Sequence, residues 1–341
     1  MQLFFLLFTL FELVYTSPVA YPLSNNTLAR RRVINATDEL DTGGHAGFPV
    51  KSQMRWPRLP NYQVLIPWCF KDFASEQAIG AHIMDRAWKT WTRTLGVASL
   101  QNGHNLYFSR WLSASGDSYP YCYDANGQWN HQIPPQTVCI SFNYHYLPGV
   151  QARSTVGYKA TDNAPGRHWM VFSHDAMIRN PEHVAAHELG HVFGLLHEHQ
   201  RADRDFYINY NCRNVIGFDG ALAKARADGY TEDQLCTQLG VAQMYGWAGA
   251  EFVRFAPSAT DIVSPYDFHS IMHYDCRHGA NSAIWGPDPT NPLLFPMYAF
   301  NVAGGEAHFL PLKGGRHYPH FDISAGDAAT IRAMYPFYPN A

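Results

Sequence analysis

One stretch constrains this chain more than any other: residues 180–205, NPEHVAAHELGHVFGLLHEHQRADRD. Asn180 is suited to cap a helix and Pro181 to occupy its first turn, so a helix is expected to begin there. On that helix His187 and His191, four residues apart, share one face a single turn apart and can converge on one cation. Glu188 sits between them. From there a carboxylate reaches a water on the cation without displacing an imidazole, which is what a general base requires. A continuing helix would point His197 away. Gly194 can adopt positive φ without a Cβ penalty, end the helix and return His197 toward the metal. Three neutral imidazoles with one open coordination position suit a single catalytic Zn2+ ion. His183, a turn before His187, reads as a solvated or supporting residue rather than a fourth ligand, and His199 reads as structural.

The rest of the composition narrows the class. With 25 Lys plus Arg against 28 Asp plus Glu, the net charge of -3 gives no electrostatic reason to bind nucleic acid or an anionic membrane surface. Apolar residues at 46% supply a core and exclude disorder throughout. Over 74–95, Ile79, Ile83, Ala87 and Trp91 recur at four-residue spacing with Met84 and Trp88 alongside, which predicts one amphipathic helix packed on a sheet. Short β-rich runs at 63–67, 105–108, 138–142 and 169–172 predict a twisted mixed sheet before the zinc helix. No repeat or long Ser/Gly linker divides the chain after residue 54, so 55–341 is expected to form one catalytic domain, richer in loops after Gly194.

Residues 2–14 are apolar but fall short of the ~20 needed to span a bilayer. They predict a cleaved signal peptide at 1–17, a secreted extracellular protein and no membrane span. The polar, aperiodic stretch 18–54 predicts a prosegment. It carries glycosylation patterns at Asn25 and Asn35, and Arg30-Arg31-Arg32 is a candidate site for a processing protease. Six cysteines suit an oxidising compartment. Their separations suggest Cys122 with Cys139, Cys212 with Cys236, and Cys69 with Cys276, and none has the CxxC spacing of a metal site.

Downstream, Ser270-Ile271-Met272-His273-Tyr274 looks like the methionine turn that follows the extended histidine motif in the metzincin zinc peptidases. Glu198, with Arg201, Asp203, Arg204 and Asp205 after it, narrows the resemblance to the astacin family. Residues 55–68 resemble the family's first strand, and Ser324 to Asp327, opening toward Met334 and Tyr335, resembles its last helix with a capping box. The resemblance implies an α+β, two-lobed fold with a twisted mixed sheet plus helices in the first lobe and a loop-rich second lobe. It implies His187, His191 and His197 as zinc ligands and Glu188 as catalytic base. Tyr274 would be a movable fifth ligand and oxyanion stabiliser. Met272 would form an apolar floor, Gly194 the turn, and Glu198 would help hold the mature N-terminus. Arg201 to Asp205 read as structural ion pairs.

The implied activity is a secreted zinc-dependent endopeptidase made as a proenzyme, acting on protein or peptide substrates and activated by a processing protease. The alternative is a non-catalytic secreted zinc-binding module, against which the retained Glu188 argues. No cysteine lies in 74–95 or shortly before the zinc helix, so the family's disulfide pattern does not carry over. The long separations around Met272 predict expanded loops within 212–262 and 280–320. Asp38 and Asp41 are candidates for an inhibitory prosegment aspartate, and the absence of cysteine before Cys69 excludes a cysteine latch.

Overall fold

Strands form where the alternating apolar runs lie. In the computed structural model, which describes residues 48–49, 54–144, 151–161, 163–256, 264–300, 307–310 and 323–338, the chain begins with the short strand β1 (Phe48–Pro49). There follow β2 (Val64–Phe70), β3 (Leu106–Arg110), β4 (Val138–Phe142), β5 (Ala152–Ser154) and β6 (Trp169–Phe172). The last five make one sheet in the order β3-β2-β4-β6-β5. It is parallel except for the antiparallel edge strand β5. The sheet is therefore mixed, and the fold is α+β.

The predicted runs 138–142 and 169–172 appear as read, while the first two shift to Val64–Phe70 and Leu106–Arg110. The single helix expected over 74–95 is two helices, Phe73–Ile79 and Ala81–Leu95. Gly80, at φ 82°, breaks the run while its N–H still closes the first helix on the Glu76 carbonyl at 2.8 Å. The face-forming residues Ile83, Met84, Ala87, Trp91 and Leu95 are buried as the spacing requires. Trp91 is fully enclosed and its indole N–H donates to the Ala186 carbonyl at 2.8 Å, tying this helix to the zinc helix. Truncating such a residue typically costs about 3–5 kcal/mol.

The zinc helix, Pro181–Phe193, starts as predicted. The Asn180 side chain accepts from the His183 N–H, and Gly194 ends the helix at φ 101°, ψ 21°. Directly after it comes β7 (Leu195–Leu196), which pairs antiparallel with β1. Phe48 and Pro49 thus add a strand beside the turn to His197, although they lie inside the expected prosegment 18–54.

Beyond Gly194 a second apolar cluster forms around Ile208, Phe218, Leu222, Leu235, Phe252 and Phe295. Strands β8 (Ile208–Tyr210), β9 (Met297–Phe300) and β10 (Ala307–His308) make a small sheet at its side. About half of the described part of 212–262 is not expanded loop but short helices, Phe218–Ala227, Glu232–Thr237 and Leu239–Met244. Within 280–320 lie a one-turn helix, Ser282–Trp285, and, after it, the strands β9 and β10. The final helix, Ala325–Met334, opens on the predicted capping box, Ser324 with Asp327.

The cysteine pairing differs from expectation. Cys212 bonds Cys236 as predicted, but Cys122 bonds Cys69, not Cys139, and Cys139 and Cys276 are buried free thiols. The register explains the exchange: β2 and β4 set Cys69 opposite Cys139, so Cys122 meets both in one buried cluster. The expected signal peptide, both glycosylation patterns, Arg30 to Arg32, Asp38 and Asp41 lie outside the described residues.

Candidate metal and catalytic site

The zinc helix brings His187 and His191 to one side, and the Gly194 turn returns His197 to meet them. The ligand nitrogens of the three lie within 4.8 Å of one another. Tautomers are set from behind. His187 Nδ1 donates to the Ile271 carbonyl at 2.9 Å and His191 Nδ1 donates to the Leu195 carbonyl at 2.8 Å. With their protons on Nδ1, both rings turn an unprotonated Nε2 inward. His187 Nε2 and His197 Nε2 are 3.1 Å apart. Tetrahedral Zn–N bonds of ~2.0–2.1 Å would separate two such nitrogens by about 3.3 Å, so the donor set fits a zinc ion.

Glu188 is buried beside them, and burial pushes its carboxyl up to about 7. The Ser154 hydroxyl and the Arg153 charge oppose that rise, while Glu251 adds to it. Tyr274 lies against the triad, its ring 4.0 Å from that of His197 and stacked at 3.5 Å on His278. Burial raises its phenol above the ordinary tyrosine value. His183, half-buried, sits at the helix start and outside the triad. His199 is fully buried and bonds the Glu251 carbonyl at 2.9 Å.

Met272 is completely buried directly under the helix. A Cβ at Gly190 would stand 2.4 Å from its Sδ, so the glycine inside the motif is what lets the turn approach. The turn itself is pinned by the last helix. Asp327 accepts from the Ser270 hydroxyl at 2.6 Å and from the Ile271 N–H at 2.8 Å, besides closing its own capping box. Glu198 is buried, accepts from Arg201 at 2.8 Å and from the Asp267 N–H at 2.8 Å, and burial pushes it up to about 8 against the Arg201 charge. Arg201 also pairs with Asp203, and Arg204 with Asp205, matching the expected ion-pair run.

The model of the Astacin peptidase family matches residues 175–236, which contain the zinc helix, the turn and the charged run. Over those residues the chain resembles the astacin peptidases. Similar curated proteins include an astacin-like metalloendopeptidase of Mus musculus, 28% identical over 130 residues, 38% of this chain and 21% of that protein. Another is nematocyst expressed protein 6 of Nematostella vectensis, 31% identical over 151 residues, 44% of this chain and 35% of that protein. Among solved structures, high choriolytic enzyme 1, a hatching enzyme zinc-protease from Oryzias latipes, aligns at a TM-score of 0.45 and 17% identity, covering 84% of this chain and 96% of that one. The chain spans about a fifth to a third of the length of these curated relatives.

Sequence reasoning missed Ser154, Gly190 and the second duty of Asp327. For Gly190 the signal was present, a glycine in mid-helix, where it costs about 1 kcal/mol unless packing demands it. For Ser154 nothing in the local pattern points to a residue 34 positions away.

Proposed function

We propose that the chain is a secreted zinc-dependent endopeptidase, made as a proenzyme with residues 1–17 as signal, 18–54 as prosegment and 55–341 as catalytic domain. The observation that carries the reading is the convergence of His187, His191 and His197 within 4.8 Å, with the buried carboxylate of Glu188 beside them. In this reading the three imidazoles hold one zinc, which supplies Lewis acidity toward a peptide carbonyl and lowers the pKa of water. Glu188 accepts the proton of the attacking water and delivers it to the leaving amine. Burial raises this carboxyl, which favours its taking up the proton in that exchange. The Tyr274 hydroxyl donates to the developing oxyanion. Met272 floors the site, Gly194 shapes it, and Glu198 anchors its flank.

Secretion is supported by the two disulfides, which persist in oxidising compartments. Among the described residues no helix is long and apolar enough to cross a membrane. Substrates are proteins or peptides, and a processing protease removes the prosegment.

Casein hydrolysis by the processed protein tests the reading. Activity should vanish with a zinc chelator and return on adding zinc, and Glu188→Gln should bind zinc yet lose turnover by ~10²–10⁴. Tyr274→Phe should lower the rate by ~10²–10³ with the metal retained. Normal cleavage by Glu188→Gln would sink the mechanism.

A further inference from the structure

The edge strand β5 and the residues after it approach the zinc helix at two points. Gly157, three residues past Ser154, donates its N–H to the His191 carbonyl at 2.9 Å. Ser154, held in register opposite Met170, places its hydroxyl 2.5 Å from Glu188 Oε2 and 3.2 Å from the Glu188 carbonyl oxygen. A hydroxyl has one proton to give, and the shorter approach to a carboxylate is the stronger bond. The serine is almost wholly buried, so no bulk water competes for it. Among the described residues, no side chain or N–H donates to Glu188 Oε1.

We infer that Ser154 is a positioning residue for Glu188: its hydroxyl pins Oε2 so that Oε1 is presented to the reacting water. The inference rests on the endopeptidase reading above and deepens it. A glutamate has several rotatable bonds, and a helix fixes only its root. Ser154 reaches the far end from a different element, one whose place is set by the sheet. Helix and edge strand are thereby locked at residues 188 and 191 against 154 and 157, and the base is aimed by the sheet as well as by its own helix. No proton has to pass through Ser154 in this scheme. The hydroxyl stays bonded to Oε2 while Oε1 takes up and gives back the proton.

The test uses the processed full chain and four proteins, the native one and the variants Ser154→Ala, Ser154→Thr and Glu188→Gln. Zinc content, thermal midpoint, and kcat and KM on a quenched fluorescent peptide are measured for each. The affinity for a phosphinic peptide, which mimics the tetrahedral transition state, is measured alongside that for a plain product peptide. Ser154→Ala is expected to keep native zinc content and KM within about twofold, while kcat falls about tenfold or more, as loss of an outer hydrogen-bond partner typically gives. Phosphinic-peptide affinity should fall with kcat and product affinity should not. Ser154→Thr, which restores the hydroxyl on a strand-favouring residue, should recover most of kcat.

A Ser154→Ala variant with native kcat, or one whose defect is lost zinc or altered KM alone, overturns the inference, as does a zinc-loaded Ser154→Thr that recovers nothing. In those cases an inactive Glu188→Gln leaves the endopeptidase reading standing. A fully active Glu188→Gln overturns both.

Discussion

The two apolar cores are built by different means. The first, spanning β2 to the zinc helix and closed by the final helix, is enclosed by sheet and long helices, with Ile66, Met84, Trp91, Leu106, Ile140, Phe172 and Phe193 buried in it. The second, after Gly194, has among the described residues helices of ten residues or fewer and a three-stranded sheet. Each region carries one disulfide, Cys69 with Cys122 and Cys212 with Cys236, but after Gly194 a buried ion-pair run, Arg201 with Glu198 and Asp203, adds to it. Arg204 donates to the carbonyls of His199 and Phe252, filling backbone acceptors that regular structure would otherwise satisfy. The site draws on both: Met272 belongs to the first core, while Tyr274 packs against the second. Short elements position a ligand well only when something other than their own length fixes them.

That contrast can be broken from the polar side first. Arg201→Met removes the buried cation that bonds both Glu198 and Asp203, and should cost about 3–5 kcal/mol by denaturant unfolding. The double variant Arg201→Met with Glu198→Leu should recover much of that loss, and a double variant no better than the single would mean the pair is not what holds this turn. Replacing Cys212 and Cys236 together by Ala opens a loop of sequence separation 24 and should cost about 3 kcal/mol. Hydrogen exchange should show that loosening confined to residues 208–297, and loosening that reaches β2 or β4 would show the two cores to be one cooperative unit.

Gly190→Ala sharpens the comparison inside the first core. The added methyl meets Met272 Sδ, so about 1–3 kcal/mol of overpacking is expected, relieved in part by pairing it with Met272→Ala. The smallest effect belongs to Cys139. Disulfide mapping should find Cys69 joined to Cys122, with Cys139 resisting alkylation until the protein unfolds, since burial pushes its thiol up to about 12. Cys139→Ser should leave both disulfides in place.

Legibility in the sequence follows the same division. The zinc helix was readable because its cap, its glycine stop and its histidine spacing are all local, and the strands at 138–142 and 169–172 because each run carries its own β-rich signal. The helix break at Gly80 was hidden by apolar spacing that continues across it. The second core was read as loop because helices such as Glu232–Thr237 and Leu239–Met244 are too short to repeat a 3.6-residue pattern twice. Sequence separation found Cys212 with Cys236 but failed for Cys122, because there strand register sets which thiols meet. Ser154 and Asp327 escaped for a related reason: each acts on the site through a bond to a residue far along the chain.

Asp327 has a consequence for biogenesis. It steadies the loop whose Ile271 carbonyl orients His187, so the first imidazole of the triad takes its direction from a segment made much later on the ribosome. A nascent chain that has exposed all three histidines still lacks the brace that aligns them. Competent metal capture should therefore come late in synthesis, and a truncation that removes 325–334 should yield a protein that carries every ligand yet holds zinc poorly.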